Sequence, residues 1–499
     1  MRDPKDLKLT EVGWQVKAMR TAVREGDVAK AERIARELLA SDPTQPDALR
    51  VLSRFAAVAG HYDTAIGILR TLEQVTGESS VAFDIGNLLF RCGRVAEAAE
   101  VVDAAIATYG ETHPLLDLRA EILSTDGRIE EAKACLERGL ELDPRHASHY
   151  VLATLTDYTP DHPHLQQMEA MLGDPTLTVD ARIQANFGAA TARDQLGDAE
   201  RAFPLYAEGN RLRREQVRFD VAAEEANIRR ITTGFDAELI SEFSGTGHRD
   251  AAPVFIVGLP RGGSSLVEHF LAAHPGVHSI GETEELPRAV DRDLMKHMHR
   301  GFDLATQPQA VPQDLWARAG SGYMQSVRRM APDAERIVDK QLFNDLLVGV
   351  IHLMLPEARF IHCRREPMAQ GWSSYAGNFR TDRGFVYDLT ELGRTYRLHE
   401  ALMAHWEQLL PADRYMTMDY EALVADPEQA ARHLVEFVGL PWDAACLEAT
   451  AADRLALALS ARQLRAPIRA GTGARWRDYE RFLAPLVDAL AQPVDPLSS

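Results

Sequence analysis

A glycine and an alanine recur together at a nearly constant interval through the N-terminal part of the chain. The glycines are Gly26, Gly60, Gly93 and Gly127, and the alanines five positions after them are Ala31, Ala65, Ala98 and Ala132. Successive glycines are 34, 33 and 34 residues apart, and apolar residues at helical spacing flank each one. A glycine permits a tight turn, and a small residue lets two paired helices approach closely. The period therefore predicts a stack of helix pairs.

This repeat resembles the tetratricopeptide repeat, whose helix–turn–helix unit has a period of about 34 residues. The resemblance implies an all-α tetratricopeptide-repeat solenoid over residues 1–160. Gly197 and Ala202 repeat the pattern 70 residues after Gly127, so a further helical repeat and linker helices are predicted over 161–245. An arginine-rich stretch lies in this second segment and is interpreted as the solvated face of a helix. Its arginines are Arg211, Arg213, Arg214 and Arg218.

The pattern changes after the small, polar, proline-terminated segment 244–253. Four β-rich runs alternate there with longer helical segments, and they read PVFIVG, RIVDK, ARFIHCR and RYMTMDY. Strands separated by helices of this length indicate a parallel sheet with crossover helices. We therefore expect an α/β domain with a central parallel sheet over residues 250–490.

The composition excludes several classes of protein. A formal net charge of −19 over 499 residues argues against general nucleic-acid binding, which depends on Lys and Arg that neutralise phosphates. No stretch approaches the ~18 to 20 apolar residues of a membrane span, and the N-terminus does not resemble a signal peptide. Four widely separated cysteines follow no metal-ligand spacing. We expect a cytoplasmic protein without a disulfide framework, a metal, a membrane span or a nucleic-acid partner.

The segment Val254 to Leu266, VFIVGLPRGGSSL, is an apolar run followed by a glycine-rich turn and the start of a helix. Such a turn directs several backbone N–H groups and a helix N-terminus at one anion. It nearly satisfies the nucleotide-binding pattern GxxxxGK[ST], but Ser264 occupies the lysine position, which disfavours a nucleotide kinase. The segment predicts an anion-binding loop, with a tight turn that binds no ligand as the alternative.

Part of this segment, PRGGSSL from Pro260 to Leu266, resembles the PRSGTTL loop of sulfotransferases. The nearest resemblance is to protein-tyrosine sulfotransferases and to bacterial sulfotransferases fused to tetratricopeptide repeats, and it covers roughly 250 to 480. It implies a P-loop-like sulfotransferase domain that binds 3′-phosphoadenosine-5′-phosphosulfate (PAPS) and needs no metal. The residues implied to hold the 5′-phosphosulfate are Arg261, Gly262, Gly263, Ser264, Ser265 and Leu266. Gly262 replaces a serine of the family, and the two serines replace threonines.

Two further segments match the donor site of the family. Arg365 and Ser373, eight residues apart, match the pair that holds the 3′-phosphate. A guanidinium forks onto phosphate oxygens, and a hydroxyl adds another donor. Lys340, at the end of a predicted strand, resembles the lysine that contacts the oxygen bridging sulfate and phosphate.

Weaker matches lie towards the C-terminus. Ser460 and Arg475, fifteen residues apart, resemble the serine and the basic residue, a lysine in that family, that complete the donor site of tyrosylprotein sulfotransferases. A segment of this kind would close over the nucleotide and exclude water. Tyr420 matches an adenine-side tyrosine by a short motif only, and packing in a core explains it equally well.

The predicted catalytic base is one of three neighbouring acids. Glu282 lies 21 residues after Arg261, as the catalytic glutamate does in the tyrosine enzymes, and a carboxylate there can take the proton of an attacking hydroxyl. Glu284 and Glu285 are the alternative bases, and a solvated turn is the structural alternative. Glu284 occupies a position where the family has an arginine that holds acidic peptides, whereas Arg288 matches a second such arginine.

The resemblance thus implies transfer of a sulfuryl group from PAPS to an acceptor hydroxyl. Glu282 would act as base, with Arg261, Lys340 and Ser460 as further catalytic residues. The leading acceptor is a protein or peptide tyrosine, held by the repeat array. A carbohydrate or small-molecule acceptor is the alternative among enzymes, and a repeat-based scaffold with an inactive nucleotide-binding domain is the alternative of another class. The sequence leaves the oligomeric state open, a homodimer included.

Overall fold

The computed structural model describes residues 4–145, 147–299, 301–379, 383–448 and 472–493. The chain divides into two compact units, Met1–Ser148 and His149–Ser499. The described part of the first unit consists of eight helices that contact one another in sequential pairs. They are α1 (Pro4–Glu25), α2 (Val28–Ser41), α3 (Pro46–Val58), α4 (Tyr62–Thr76), α5 (Ser79–Arg91), α6 (Val95–Tyr109), α7 (His113–Thr125) and α8 (Ile129–Leu142).

The repeated glycines and alanines lie where the period predicts. Each glycine occupies the turn inside a helix pair with a positive φ, between 75° at Gly26 and 85° at Gly127. This left-handed conformation costs glycine little because it has no Cβ. The four repeated alanines have no exposed surface and lie in the second helix of each pair. The tetratricopeptide-like helical architecture is therefore confirmed.

The second unit begins with six more helices before any strand. They are α9 (His149–Leu155), α10 (Pro163–Leu172), α11 (Val179–Gln195), α12 (Ala199–Gln216), α13 (Val221–Gly234) and α14 (Ala237–Glu242). The α11–α12 pair has the repeat geometry, with Gly197 at φ 74° in its turn and Ala202 fully buried. These helices pack in the same compact unit as the sheet that follows.

The prediction of a solvated helix face is wrong for two of the four arginines, and Arg218 lies beyond the end of α12. Arg213 is buried, and its Nη2 lies 3.5 Å from Oδ1 of Asn378. Arg214 donates from Nε and Nη2 to the two carboxylate oxygens of Glu391, each at 2.8 Å. Both side chains lie against the α/β part of the unit, so tertiary packing rather than solvent determines their surroundings.

The described strands form one five-stranded sheet in the order β2-β3-β1-β4-β5, and all neighbours are parallel. The strands are β1 (Pro253–Gly258), β2 (Val277–Gly281), β3 (Arg336–Asp339), β4 (Arg359–Arg364) and β5 (Tyr415–Asp419). The central parallel sheet is confirmed, and four of its strands coincide with the β-rich runs of the sequence. The edge strand β2 was not predicted from the sequence.

Helices cover both faces of the sheet, as parallel sheets require. The α-helices described after β1 are α15 (Ser264–Ala272), α16 (Glu285–Asp293), α17 (Gln313–Met330), α18 (Val348–Met354), α19 (Pro367–Tyr375), α20 (Leu389–Leu409), α21 (Tyr420–Ala425), α22 (Pro427–Phe437), α23 (Ala445–Glu448) and α24 (Ala484–Ala491). Alternate residues of β1 enter different cores: Phe255 packs with α13, α17 and α20, whereas Ile256 packs with α15 and α22.

The strand order predicts a ligand site at the centre of the sheet. The chain leaves β1 towards β2 on one side and later crosses from β3 to β4 on the other, so β1 borders the point where the connections change direction. Ligands of open α/β sheets bind outside the carboxyl ends of the strands at such a point. Within the described ranges, we find no helix whose length and apolar character would let it cross a membrane.

Candidate active site

The glycine-rich segment forms a constrained loop between β1 and α15. Arg261 has a φ of 68°, a left-handed conformation that is uncommon for a residue with a Cβ. Gly263 has a φ of 99°, and a Cβ there would lie 2.9 Å from Cδ2 of Tyr420. The first N–H groups of α15 have no intrahelical acceptor and lie at this loop. The loop therefore has the geometry of an anion site at the carboxyl end of the central strand.

Side chains of helix α19 hold the loop in place. Gln370 donates from Nε2 to the carbonyl oxygens of Leu259 and Pro260, at 3.1 and 3.0 Å. Ser373 accepts a hydrogen bond from Nε of Arg261 at 2.8 Å. A Cβ on Gly262 would lie 2.9 Å from the carbonyl oxygen of Cys363, so the absence of a side chain allows this close packing. The structure thus brings Arg261 and Ser373 into direct contact.

Arg365, which follows β4, lies beside the same loop. It is only 9% exposed, and its guanidinium lies 4.3 Å from the centroid of the Tyr420 ring. Its Nη1 donates to the carbonyl oxygen of Arg261 at 3.2 Å, whereas its buried Nε has no hydrogen-bond partner among the described residues. Arg364 instead points to the surface and pairs with Asp419 at 2.7 Å. Arg365 is therefore the arginine of this pair that can receive a phosphate.

Two arginines, one partly buried and one buried, place two positive charges at the loop. Burial lowers the pKa of Arg261, and the neighbouring Arg365 lowers it further. Burial likewise lowers the pKa of Arg365. A bound polyanion would relieve both effects, because it would compensate the two charges in a place with little water.

Lys340 lies at the end of β3 between two carboxylates. Its Nζ donates to Oε1 of Glu282 at 2.8 Å and lies 3.4 Å from Oε2 of Glu268. Lys340 is 2% exposed. Burial opposes its charged form, but Glu268 and Glu282 outweigh burial and raise the pKa of Lys340 above its ordinary value. The ammonium therefore keeps its charge throughout the physiological range, and Glu268 is a site residue that the sequence did not reveal.

The three candidate bases differ in their contacts. Glu282 follows β2 and pairs with Lys340, yet 59% of its side chain is exposed and open to an acceptor. Glu285 is largely buried and pairs with Arg288 at 2.7 Å. Glu284 is exposed and lines a cavity beside the strand ends. Glu282 is thus the acid of the three that contacts another predicted site residue.

That cavity, here named the α13–α16 cavity, has a volume of about 460 Å³. Its walls come from α13, from the start of α16, from the segment before α17 and from the residues after β3. The lining residues are Asn227, Arg230, Ile231, Phe235, Glu284, Pro287, Asp303, Leu304, Ala305, Gln341, Phe343, Asn344, Leu346, Leu347, Val350 and Arg383. Glu284 and Gln341 are close in sequence to Glu282 and Lys340. The cavity lining therefore includes residues within two positions of the Glu282–Lys340 pair along the chain.

Asp339, the last residue of β3, is a buried acid that sequence reasoning missed. It accepts a hydrogen bond from the hydroxyl of Tyr323 at 2.9 Å, and Nδ2 of Asn344 lies 3.4 Å from its other oxygen. Burial raises the pKa of Asp339 to about 7. The end of β3 thus carries a fully buried carboxyl group directly before the charged Lys340.

Asp339→Asn is expected to change the pH dependence of stability. A carboxyl group whose folded-state pKa is raised contributes stability below its unfolded pKa and loses it as the pH rises through about 7. Wild type and variant should therefore melt at similar temperatures near pH 4, whereas at pH 8 the variant should melt several °C higher. Scanning calorimetry across this range measures the difference. Exposed Asp333→Asn is the matched control, and a constant difference between wild type and Asp339→Asn at every pH would contradict the expectation.

No contact among the described residues joins Arg475, one of the two C-terminal matches, to the loop between β1 and α15. Arg475 pairs with Asp194 of α11, Nη2 to Oδ2 at 2.6 Å, and half of its side chain is exposed. The nearby Tyr479 donates to Oδ1 of Asp194 at 2.7 Å and stacks on Trp372 of α19 at 3.9 Å. Ser460 lies outside the described residues. The donor roles of Ser460 and Arg475 therefore stay predictions.

Tyr150 of α9 is a further residue near the loop. Its hydroxyl accepts a hydrogen bond from the backbone N–H of Asn378 at 3.4 Å. Burial raises the pKa of Tyr150. The hydrogen bond from Asn378 and the nearby charge of Arg261 lower this pKa, but burial has the larger effect. No local motif marks this tyrosine, because only the packing of α9 against the α/β part brings it towards Arg261.

Family models match segments in both parts of the chain. A model of the sulfotransferase family matches residues 253–444. Two models of the tetratricopeptide repeat match residues 17–78 and 113–146. The first match covers the sheet, the loop and the segment that carries Arg365, and the other two lie within the first unit.

Relatives include enzymes that differ in their named acceptors. An uncharacterized protein of Aquifex aeolicus is 28% identical over 447 residues, which cover 88% of this chain and 58% of that protein. The protein-tyrosine sulfotransferase of Drosophila melanogaster is 26% identical over 206 residues, 40% of each chain. Human heparan sulfate glucosamine 3-O-sulfotransferase 6 is 24% identical over 211 residues, 40% of this chain and 55% of that one. This chain thus spans about half the length of the curated relatives it matches. It contains a sulfotransferase-family domain preceded by tetratricopeptide repeats, and protein-tyrosine sulfotransferases are among its homologues at modest identity.

Proposed function

We propose that the chain transfers a sulfuryl group from PAPS to an acceptor hydroxyl. The observation that carries the proposal is the convergence of the N–H-lined loop with buried Arg365, whose Nε has no described partner. The loop suits the 5′-phosphosulfate, and Arg365 with Ser373 suits the 3′-phosphate, because a guanidinium and a hydroxyl both donate to phosphate oxygens. Tyr420, stacked on Arg365 and against Gly263, is a wall for the adenosine part.

The proposed chemistry is an in-line displacement at sulfur. Glu282 takes the proton of the attacking hydroxyl, and Lys340 holds that carboxylate in position at 2.8 Å. An ammonium group has three N–H donors, and two of those of Lys340 face Glu268 and Glu282. The proposal assigns the third to the oxygen that leaves with the 5′-phosphate. Arg261 and the loop N–H groups stabilise charge on the sulfuryl oxygens.

The favoured acceptor is a tyrosine of a protein or peptide. The interval between Arg261 and Glu282 and the relatives named protein-tyrosine sulfotransferases support it. The alternative is a carbohydrate or small-molecule hydroxyl, supported by the relatives named heparan sulfate sulfotransferases. A scaffold that binds nucleotide without activity is less well supported, because Glu282 and Lys340 are in contact and one face of Glu282 is open.

The repeat array is proposed to hold a protein partner, and the four free thiols favour a reducing cytoplasm.

Arg365→Ala tests the donor site. Loss of a charge-assisted contact with the 3′-phosphate is expected to weaken binding of adenosine 3′,5′-bisphosphate by roughly 1.5 to 3 kcal/mol. Titration calorimetry with this ligand and with 5′-AMP measures the effect, and the variant should bind both ligands about equally. Arg364→Ala, which breaks only the exposed pair with Asp419, is the matched control. Equal affinity of the wild type for the two ligands would refute the 3′-phosphate pocket.

A further inference from the structure

The α13–α16 cavity has an uneven distribution of charge. Arg230 pairs with Asp303 at 3.3 Å, and Arg383 pairs with Glu224 at 3.0 Å while lying over the ring of Phe343. These charges compensate one another in pairs. Glu284 also lines the cavity, but no ion pair joins it to any residue in the ranges that the structure describes. Of the four charged lining residues, Glu284 is therefore the one without an ion pair in the described ranges.

The remaining walls of the cavity are mainly apolar. They include Ile231, Phe235, Leu304, Phe343 and Leu347. A volume of about 460 Å³ lies in the range of small-ligand pockets, which combine apolar walls with a few polar groups. It accommodates an aromatic ring with a short side chain. A polyhydroxylated sugar would instead require hydrogen-bond partners on most sides.

We propose that this cavity binds the acceptor as an aromatic alcohol, and that Glu284 selects acceptors with a cationic group beside the ring over acceptors with an anionic one. The inference rests on the proposed function and specifies its acceptor. The ring lies against the apolar walls, and the hydroxyl reaches Glu282 past the end of β2. Glu284 attracts a neighbouring ammonium group and repels a carboxylate.

The transfer step moves one proton and replaces one S–O bond with another. The phenolic O–H gives its proton to a carboxylate oxygen of Glu282, and an electron pair of the phenolic oxygen forms the new O–S bond. The S–O bond to the 5′-phosphate breaks, and its electron pair leaves on adenosine 3′,5′-bisphosphate. Glu284 takes no part in these bond changes, so it is a specificity residue and not a catalytic one.

Three phenols of similar size and different charge test the proposal: tyramine, 4-ethylphenol and 3-(4-hydroxyphenyl)propionate. With ³⁵S-labelled PAPS, the wild type should show a kcat/KM that falls in this order, with about tenfold between the first and the last. Glu284→Gln should bring the three values close together, and Glu284→Arg should reverse the order. Glu242→Arg makes the same charge change at the exposed end of α14, at a residue that does not line the cavity, and should leave the order unchanged.

Binding gives a readout that does not depend on turnover. Tyramine should bind wild type saturated with adenosine 3′,5′-bisphosphate more tightly than it binds Glu284→Arg, and calorimetry should show equal nucleotide affinity in the two proteins. An unchanged order of acceptors in Glu284→Arg would overturn the assignment of Glu284. Sulfation of sugars with none of the three phenols would overturn the aromatic acceptor and leave sulfuryl transfer intact. Failure to bind the nucleotide would overturn the proposed function itself.

Discussion

Glu282→Gln is expected to lower turnover by roughly 10² to 10⁴, the effect of a lost general base, while donor affinity is unchanged. The amide cannot accept the proton of the attacking hydroxyl. Its oxygen can still accept the hydrogen bond that Lys340 now makes to Glu282 at 2.8 Å, so the surroundings of Lys340 should persist. Single-turnover transfer from saturating labelled PAPS measures the effect on chemistry. Calorimetric titration with adenosine 3′,5′-bisphosphate measures the effect on binding.

Glu285→Gln is the matched control, because Glu285 is a neighbouring acid that pairs with Arg288 instead of Lys340. It should retain most of the turnover. Transfer should also survive chelation with EDTA, since the proposed mechanism assigns no step to a metal. Near-normal turnover of Glu282→Gln would move the base to Glu284 or Glu285 and remove the functional reason for the contact with Lys340.

Removal of residues 1–148 is expected to leave a folded protein, whereas removal of residues 1–245 is expected to abolish folding. The structure divides after Ser148, and helices α9 to α14 belong to the second compact unit. Asn210, fully buried in α12, donates to the carbonyl oxygen of Tyr375 at 2.8 Å. Loss of these helices would expose the apolar surface around Trp372 and leave buried polar groups without partners. The unfolding transition in scanning calorimetry distinguishes the two fragments.

The shorter deletion also tests the proposed role of the repeat array. If the array holds a peptide acceptor, residues 149–499 should show a raised KM for a long peptide and an unchanged KM for a short phenol. Two unchanged KM values would show that the array does not bind the acceptor. A folded 246–499 fragment would contradict the structural role assigned to α9 to α14.

Local patterns predicted much of the fold because they act at short range. The glycine–alanine period identified the helix pairs, and apolar runs identified β1, β3, β4 and β5. Strand β2 was missed because only Val277 and Gly281 of its five residues are buried, so it lacks an apolar run. An edge strand with one covered face does not stand out from a loop in composition alone.

The candidate site was predictable where its residues follow strands and glycine-rich turns. Arg261, Arg365 and Lys340 are such residues, and the structure places them around one loop or at the neighbouring strand end. Ser373 lies inside α19 and was predictable from its spacing of eight residues after Arg365. Glu268 was not predictable, because an acid inside SSLVEHF is typical of the solvated side of a helix. Arg213 and Arg214 of α12 were misinterpreted for the same reason. In each case the partner is distant in sequence, and only tertiary packing brings the two side chains into contact.

The helices before the sheet also bear on how such a chain can evolve. Exchange of one repeat array for another by recombination requires a breakpoint that leaves both products folded. The composition suggests such a point at the polar segment 244–253, but the packing of α9 to α14 with the sheet favours one near Ser148. An exchange there would transmit Tyr150, α11 and α12 together with the sulfotransferase-family domain. Descendants of such exchanges should therefore share these helices even where their repeat arrays are unrelated.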